Sequence, residues 1–243
     1  MAAPVTWLAS YPRSGNTLLR LILKHCFGLS SQSLYRDQDF ADPTVRAMVG
    51  HEDVGSNARQ FVHLACRAGR SLYVKTHEPP PADRHPAIYV VRDGRSAVVS
   101  HAHYLRDILR RDITLAEVIE GKAGLPWSQH VRAWTQPLRE NTLLVRYENM
   151  APGNRDALAA ISAFIGRPMQ RSFELSFERL HGLHPGFFRR GSDAANIAEL
   201  DAASLRLFEQ HHGDMMRVMG YGDHPFGGKD SYSAGASRAQ SSG

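Results

Sequence analysis

The sequence holds little that would cross-link the chain or anchor it to a membrane. Its 243 residues include two cysteines, Cys26 and Cys66, which stand in no paired metal-ligand spacing. We therefore predict two free thiols in a reducing compartment. The most apolar stretch, residues 18–29, is interrupted by charged side chains and is shorter than the roughly 20 residues that span a bilayer. No signal-peptide pattern is visible, so we expect a cytoplasmic protein without a membrane partner.

The chain also has little excess of either sign of charge. Its net charge is +5 with histidine neutral. The basic residues form no long run, and they recur singly or in pairs, several of them beside glycine. Such a pattern indicates pockets for small anionic groups such as phosphate, and it is not by itself typical of a nucleic-acid-binding surface.

The apolar pattern predicts an α/β fold. Short β-prone runs alternate with longer segments of helical spacing, which is typical of a mostly parallel sheet covered by helices on both faces. The predicted strands are residues 5–10, 71–76, 87–91 and 142–145. The predicted helices are residues 17–27, 94–109, 127–138, 156–165, 171–180 and 202–219.

The remaining segments complete the predicted organisation. We expect residues 1–222 to form a single domain and the Gly/Ser/Ala-rich residues 223–243 to be disordered. Residues 28–69 are polar and irregular, with short helical stretches at best. Such a segment is a candidate for an insertion that covers a substrate.

The first predicted strand passes through a polar loop into the first helix. Backbone N–H groups at a helix start lack partners and carry partial positive charge, so this geometry binds anions. Gly15 lets the backbone approach an anion closely, and Arg13 supplies positive charge. Ser14, Asn16 and Thr17 supply hydrogen-bond donors. We predict a phosphate-binding loop, although not the G-x-x-x-x-G-K-[ST] type; the alternative is a polar turn with Thr17 as N-cap.

A cation follows the third predicted strand. Many P-loop kinases and hydrolases place an acidic residue there to help hold magnesium, whereas this chain has Arg92. An arginine at the carboxyl end of a strand suits a second phosphate and does not suit a metal. Asp93 lies one position further on, where capping the next helix is the simpler role. We therefore predict no metal.

Six segments, in the same order along the chain, resemble those of cytosolic-type sulfotransferases that use 3′-phosphoadenosine-5′-phosphosulfate (PAPS). Residues 11–17 (YPRSGNT) resemble the family's 5′-phosphosulfate loop. Arg92 and Ser100 resemble the pair that binds the 3′-phosphate, and residues 187–191 (FFRRG) resemble the late loop that closes on it. The other segments are the Lys-Thr-His of residues 75–77, the Trp-x-x-His-Val-x-x-Trp of residues 127–134, and residues 145–150 with Tyr147.

This resemblance implies a P-loop-like fold with a central parallel β-sheet flanked by helices on both faces. It implies transfer of a sulfuryl group from PAPS to a hydroxyl of a small-molecule or natural-product acceptor. The product would be 3′-phosphoadenosine-5′-phosphate (PAP), with no metal and no nucleic-acid partner. The implied catalytic residues are His77, Lys75 and Arg13. The implied donor-binding residues are Arg13, Ser14, Gly15, Asn16, Thr17, Arg92, Ser100, Tyr147, Arg189, Arg190 and Gly191.

Histidine is the side chain best suited to act as a general base near neutral pH. Among the 13 histidines, we predict that His77 is the base, because it sits at a strand end after Lys75 and before a proline-rich loop. His101 and His103 follow Ser100 and are candidates for lining the acceptor pocket. The other interpretations are structural: His25, His51 and His63 as surface or helix-packing residues, and His211 with His212 as a solvated pair.

Departures from the family, and two other functions, stay open. Arg13 replaces the family's usual lysine, Leu18 replaces the adenine-stacking tryptophan of many members, and no dimerisation segment is visible, which leaves the oligomeric state open.

A P-loop small-molecule kinase would share the fold, but its Lys-Ser/Thr loop and metal carboxylate are missing. A nucleic-acid-binding module would interleave exposed aromatic and basic residues, whereas the spacing of Trp127 and Trp134 indicates a buried helix face.

Overall fold

A parallel sheet organises the chain. The computed structural model describes residues 5–33, 35, 43–52, 60, 71–174, 177–183 and 193–222. Within them, five strands lie in the order β2-β3-β1-β4-β5, and all neighbouring pairs are parallel. The strands are β1 (Val5–Ser10), β2 (Gln32–Ser33), β3 (Leu72–Thr76), β4 (Ala87–Val91) and β5 (Thr142–Arg146). The prediction of an α/β fold with a parallel sheet is confirmed.

Helices alternate with these strands, as the long crossovers of a parallel sheet require. They are α1 (Asn16–Phe27), α2 (Pro43–Val49), α3 (Gly94–His103), α4 (Leu115–Ile119), α5 (Trp127–Thr135), α6 (Arg155–Ile165), α7 (Phe177–Leu183), α8 (Asp193–Ile197) and α9 (Ala202–Val218). A π-helical turn, Tyr104–Ile108, continues α3, and a 3₁₀ turn, Tyr147–Met150, follows β5. Helix α5 ends before Pro137, which cannot continue a helix.

The apolar core forms a layer on each face of the sheet, because successive residues of a strand point to opposite faces. Trp7 and Tyr89 face one layer, which α3, α4, α5 and α9 cover. Leu8 faces the other layer, which α1, α2 and α6 cover. Trp127 and Trp134 are fully buried in the first layer, which confirms that they belong to the core.

Three short elements, one strand and two helices, are not predicted from the sequence. Residues 28–69, predicted to be irregular, contribute strand β2, where Gln32 pairs with Val74 and Ser33 with Lys75. Helices α4 and α8 lie where no helix is predicted. A strand of two residues has no period, and a helix of five residues completes little more than one turn, so hydrophobic periodicity cannot reveal them.

One predicted helix starts in the wrong place. Residues 171–180 are predicted to be helical, but residues 171–174 are not, and α7 begins at Phe177. The chain before this point runs along α1, where the Gln170 backbone N–H donates to the Cys26 carbonyl at 2.7 Å. Phe173 is buried in the core layer that contains α1. Tertiary packing therefore overrides the local helical pattern.

Two expectations from the sequence concern membrane-spanning helices and the cysteines. In the described parts of the chain, no helix is long and apolar enough to cross a bilayer. Cys26 is a buried free thiol, and burial raises its pKa to about 11. Cys66 and residues 223–243 lie outside the described residues.

Candidate active site

Polar and aromatic side chains gather at the carboxyl edge of the sheet. Tyr11, His77, Arg92 and Tyr147 are the first residues after β1, β3, β4 and β5. Parallel strands end at the same edge, and the crevice beyond that edge is where open α/β sheets bind ligands. The structure thus brings the predicted first loop, His77 and Arg92 to one side of the sheet.

Gly15 shapes the loop between β1 and α1. It occupies the N-cap position of α1 with a φ of 102°, and a Cβ atom there would lie 2.5 Å from Tyr147 Cδ2. Any other residue would strain the backbone and displace the tyrosine ring. The helix begins at Asn16, and so the alternative that Thr17 is its N-cap is wrong. Since Gly15 has no side chain, the N–H groups of the first turn receive no cap from it and can serve an anion.

The polar side chains of this loop have different roles. Ser14 is fully buried, and its Oγ has no hydrogen-bond partner among the described residues. A buried unpaired hydroxyl costs about 1–3 kcal/mol, so a ligand oxygen at this point would restore a lost hydrogen bond. Asn16 Nδ2 instead donates to the Leu8 carbonyl at 2.8 Å and ties the loop to β1. Thr17 is half-buried in the first turn of α1.

Arg13 connects this loop to α3 and to Arg92. Its Nε donates to Ser100 Oγ at 3.4 Å, and its guanidinium lies 5.3 Å from the centre of the Tyr104 ring. Its φ is 64°, and its carbonyl accepts a hydrogen bond from Arg92 Nη1 at 2.9 Å. The loop predicted to bind one end of the donor is therefore bonded to both residues predicted to bind the other end, to Ser100 through the Arg13 side chain and to Arg92 through the Arg13 carbonyl.

Arg92 is buried against a ring and a carboxylate. Its guanidinium lies 4.2 Å from the centre of the Tyr147 ring, and both its Nε, at 2.7 Å, and its Nη2 donate to Asp193 Oδ1. Ser96 Oγ donates to the same carboxylate oxygen at 2.5 Å, and Asn196 Nδ2 donates to Ser96 Oγ at 3.0 Å. Burial acts to lower the pKa of Arg92, but electrostatic interactions with Tyr147 and Asp193 outweigh it and raise the pKa above its ordinary value.

The acidic residues next to Arg92 are engaged in structural contacts. Asp93 accepts a hydrogen bond from the Arg95 backbone N–H at 2.9 Å, which confirms that it caps α3, and it pairs with the Arg95 guanidinium at 2.6 Å. Glu148 accepts from the Asp93 backbone N–H at 3.0 Å, and burial raises its pKa. Within the described ranges, no group of three or more His, Cys, Asp or Glu side chains is placed to hold a metal ion.

His77 is oriented by the neighbouring strand. Its Nδ1 lies 2.8 Å from the Ser10 carbonyl oxygen at the end of β1. A carbonyl oxygen can only accept, so in this contact Nδ1 carries the proton, and the lone pair of the neutral ring is on Nε2. The tautomer held by β1 therefore makes Nε2 the proton acceptor.

Tyr35 covers His77 from a segment that is predicted to be irregular. Its ring is stacked on the His77 ring with the centroids 5.9 Å apart, and its hydroxyl oxygen accepts from the His77 backbone N–H at 2.9 Å. Lys75 Nζ lies 5.9 Å from the centre of the same ring, on a side chain that is almost buried. Tyr35 carries no signal in the sequence, because it lies 42 positions from His77 and outside any periodic segment.

The two histidines proposed for the acceptor pocket occupy different environments. His101 is buried, and its Nδ1 lies 3.1 Å from the Tyr11 hydroxyl. Burial, together with the charge of Arg13, lowers the pKa of His101 to about 3. His103 Nε2 lies 2.6 Å from Glu199 Oε2 in a partly exposed pair. Of these two histidines, His101 contacts the first loop, through the Tyr11 hydroxyl at the strand edge.

The prediction of a solvated His211–His212 pair is wrong for His212. His211 is exposed, but His212 is 1% exposed, because α9 packs it against Trp127 and α4. Its Nε2 lies 3.0 Å from the Ile119 carbonyl oxygen, and burial lowers its pKa to about 4. The remaining predicted residues, Arg189, Arg190, Gly191 and His63, lie outside the described residues.

The fold and the carboxyl edge together define the class of this protein. A central parallel sheet, helices on both faces and a polar loop between β1 and α1 make it a P-loop-like α/β protein. A family model described as the sulfotransferase domain matches residues 3–184. The chain therefore belongs to the sulfotransferase family of enzymes, which confirms the resemblance drawn from its six segments.

Individual relatives are distant. Flavonol 3-sulfotransferase of Flaveria bidentis is 24% identical over 182 residues, which cover 67% of this chain and 56% of that protein's length. Mouse sulfotransferase SULT7A1, solved in complex with PAP, has a TM-score of 0.64 at 19% identity and covers 89% of this chain and 86% of its own. Retinol dehydratase in a complex with retinol and PAP has a TM-score of 0.58 at 18% identity and covers 89% of this chain and 82% of its own. At these identities the structural likeness shows the fold.

Proposed function

We propose that this chain is a PAPS-dependent sulfotransferase that moves the sulfuryl group to a hydroxyl of a small-molecule acceptor. The observation that carries the proposal is the bonded group at the carboxyl edge. There the loop after β1 meets Arg92, through the 2.9 Å bond to the Arg13 carbonyl, while His77 is tied to the end of the same strand at 2.8 Å. The two proposed anion-binding elements and the proposed base thus meet at the end of β1 and the loop that follows it.

The polar atoms of the first loop support the binding of the 5′ end of the donor there. The unpartnered Ser14 hydroxyl and the helix N–H groups behind Gly15 suit the oxygens of a 5′-phosphosulfate. Arg13 adds charge, and Asn16 acts by tying the loop to β1. Thr17 completes the first turn. These residues are the proposed 5′ end of the donor site.

The 3′-phosphate is proposed to bind at Arg92 and Ser100. A buried guanidinium needs an anionic partner, and Arg92 has the carboxylate of Asp193. In the proposed complex the 3′-phosphate takes the place of that carboxylate. Tyr147, whose ring lies 4.2 Å from the Arg92 guanidinium, is proposed to contact the nucleotide. Arg189, Arg190 and Gly191 would close the site, as the family resemblance implies.

Transfer is proposed to run in line, with the acceptor hydroxyl and the PAP leaving group on opposite sides of sulfur. The new bond joins the acceptor oxygen to sulfur, and the bond from sulfur to the bridging phosphate oxygen breaks, which releases PAP. His77 takes the hydroxyl proton at Nε2 while its Nδ1–H is held by Ser10. Lys75 and Arg13 offset the charge that builds up on the peripheral and leaving oxygens. A solved relative that holds retinol beside PAP supports a small alcohol as acceptor.

Two measurements test this function. Calorimetry should show that PAP binds far more tightly than 5′-AMP, because several charge-assisted contacts of roughly 1.5–3 kcal/mol each depend on the 3′-phosphate. Incubation with sulfur-labelled PAPS and a panel of alcohols and phenols should yield labelled product. Equal affinity for PAP and 5′-AMP, or label transfer only from γ-labelled ATP with magnesium, would replace this proposal with a kinase-like one.

A further inference from the structure

A buried imidazole lies directly behind the peptide that carries His77. His130, in α5, is 1% exposed. Its Nε2 is 3.1 Å from the His77 carbonyl oxygen, and its Nδ1 is 3.0 Å from the Tyr89 hydroxyl. The Tyr89 ring also stacks on His130, with the centroids 5.7 Å apart. His130 therefore connects the core strand β4 to the strand end of β3.

The direction of both hydrogen bonds follows from the chemistry of the partners. The His77 carbonyl can only accept, so His130 Nε2 carries the proton. Burial lowers the pKa of His130 to about 4, and so the ring is neutral near pH 7 and Nδ1 must accept. Burial also raises the pKa of Tyr89 far above its usual value, which keeps the hydroxyl protonated and able to donate. The chain of bonds runs from Tyr89 through His130 to the His77 peptide.

Trp134 repeats this contact one helical turn later. Its Nε1–H donates to the Glu78 carbonyl at 3.1 Å, and its ring stacks on Tyr89 with the centroids 5.4 Å apart. Residues four apart lie on the same face of a helix. One face of α5 thus presents two ring N–H donors to two consecutive peptide carbonyls, those of His77 and Glu78.

These carbonyls lie where β3 has stopped supplying ladder bonds. The chain continues into residues 79–81, three prolines, which have no backbone N–H to donate. The His77 N–H is taken by the Tyr35 hydroxyl, and the Glu78 N–H by Thr76 Oγ1. Side chains of α5 therefore donate to both carbonyls at this point of the chain.

We propose that His130 is a positioning residue for the base, with Trp134 as its partner. The two ring N–H groups fix the His77 and Glu78 peptides, and this sets the place from which the His77 side chain reaches the Ser10 carbonyl and presents Nε2. The inference rests on the proposed function, in which His77 is the general base. Displacements of about 1 Å at a reacting group can cost roughly 10²-fold in rate, so a loosened peptide is expected to act on turnover.

The test uses three variants. His130→Leu removes both hydrogen bonds at similar size, His130→Gln keeps a long amide N–H donor, and His212→Leu is the matched control. His212 is equally buried and its Nε2 also lies against a backbone carbonyl, but that carbonyl belongs to Ile119 in α4. We expect His130→Leu to lower kcat by roughly 10- to 100-fold with PAP affinity within about twofold. His130→Gln should recover most of the loss. His212→Leu should lower Tm to a similar extent without changing kcat.

A double-mutant cycle separates this proposal from the assignment of the base. In a His77→Ala background, His130→Leu should reduce kcat little further, because a positioning residue has nothing left to position. An equal loss in both backgrounds, or an equal loss from His212→Leu, would overturn the positioning role alone. Near-native turnover of His77→Ala itself would overturn the assignment of His77 as the base. If His130→Leu does not fold, Trp134→Phe, which removes one N–H and keeps a ring, gives the same comparison.

Discussion

Two regions of the site are built with opposite kinds of interaction. The proposed donor side, around Arg92, is held by a pair of full charges, a guanidinium and a carboxylate from α8, with the face of Tyr147 against the guanidinium. The proposed base side, around His77, is held by neutral groups: the Ser10 carbonyl and the ring N–H groups of His130 and Trp134. In the proposed function the carboxylate of the first set is exchanged for the charges of a ligand, whereas the second set is kept unchanged through the reaction.

This difference follows from the cost of burial. A buried guanidinium without an anion is strongly unfavourable, and Arg92 has the carboxylate of Asp193 as its partner. A buried neutral imidazole needs only its hydrogen bonds, which fixed backbone carbonyls supply. A charge pair therefore suits binding and release, and neutral bonds to the backbone suit the constant geometry that proton transfer requires.

The largest expected effect lies on the base side. His77→Ala should reduce turnover by roughly 10²–10⁴-fold, the usual share of general base catalysis, and should leave PAP affinity within a few-fold. Steady-state kinetics with labelled PAPS and calorimetry with PAP measure the two quantities. His211→Ala, an exposed histidine on α9, is the control and should behave as the unchanged protein. A turnover that stays near its original value would remove His77 from the mechanism.

The next effect lies on the donor side and concerns binding. Arg92→Met should weaken PAP binding by about 10- to 100-fold, as expected for the loss of a charge-assisted bond of roughly 1.5–3 kcal/mol. Arg139→Met is the matched control, because Arg139 also pairs with a carboxylate, that of Asp83, at 2.6 Å. Comparable losses of PAP affinity from both substitutions would mean that general electrostatics, not a 3′-phosphate site, is responsible.

A smaller effect of opposite sign is expected from the carboxylate itself. Asp193→Asn keeps the shape and one acceptor oxygen but removes the charge that competes with a phosphate for Arg92. PAP should then bind about two- to tenfold more tightly, a gain of up to roughly 1.4 kcal/mol. Calorimetry on this variant and on Asp83→Asn measures it. Weaker binding to Asp193→Asn would show that this carboxylate organises Arg92 for the ligand and does not exchange with it.

No effect is expected from chelation. Arg13, Lys75 and Arg92 are proposed to supply positive charge around the donor, and a divalent ion among them would add repulsion. Exhaustive treatment with EDTA, followed by dialysis, should therefore leave turnover unchanged. Activity that disappears with EDTA and returns with magnesium would favour kinase-like chemistry and would make Asp93 the residue to substitute.

The elements that carried the sequence prediction were long or chemically distinctive. Strands β1, β3, β4 and β5 are apolar runs, and His77 and Arg92 stand at their ends, so their place at one edge follows from parallel topology alone. Strand β2 and helix α8 are too short to show a period. Tyr35 and Asp193, which contact His77 and Arg92, therefore carried no signal.

The sequence by itself determined the four longer strands of the sheet, the loop at Gly15 and the strand-end positions of the candidate base and cation. These depend on local pattern and on residue types close together in the chain. Only the tertiary structure decided the tautomer of His77, the burial of His212 and the pairing of Arg92 with Asp193, which is 101 positions away. Hydrogen-bond direction and burial depend on atoms that meet when distant segments pack, and no periodicity in the sequence encodes which atoms those are.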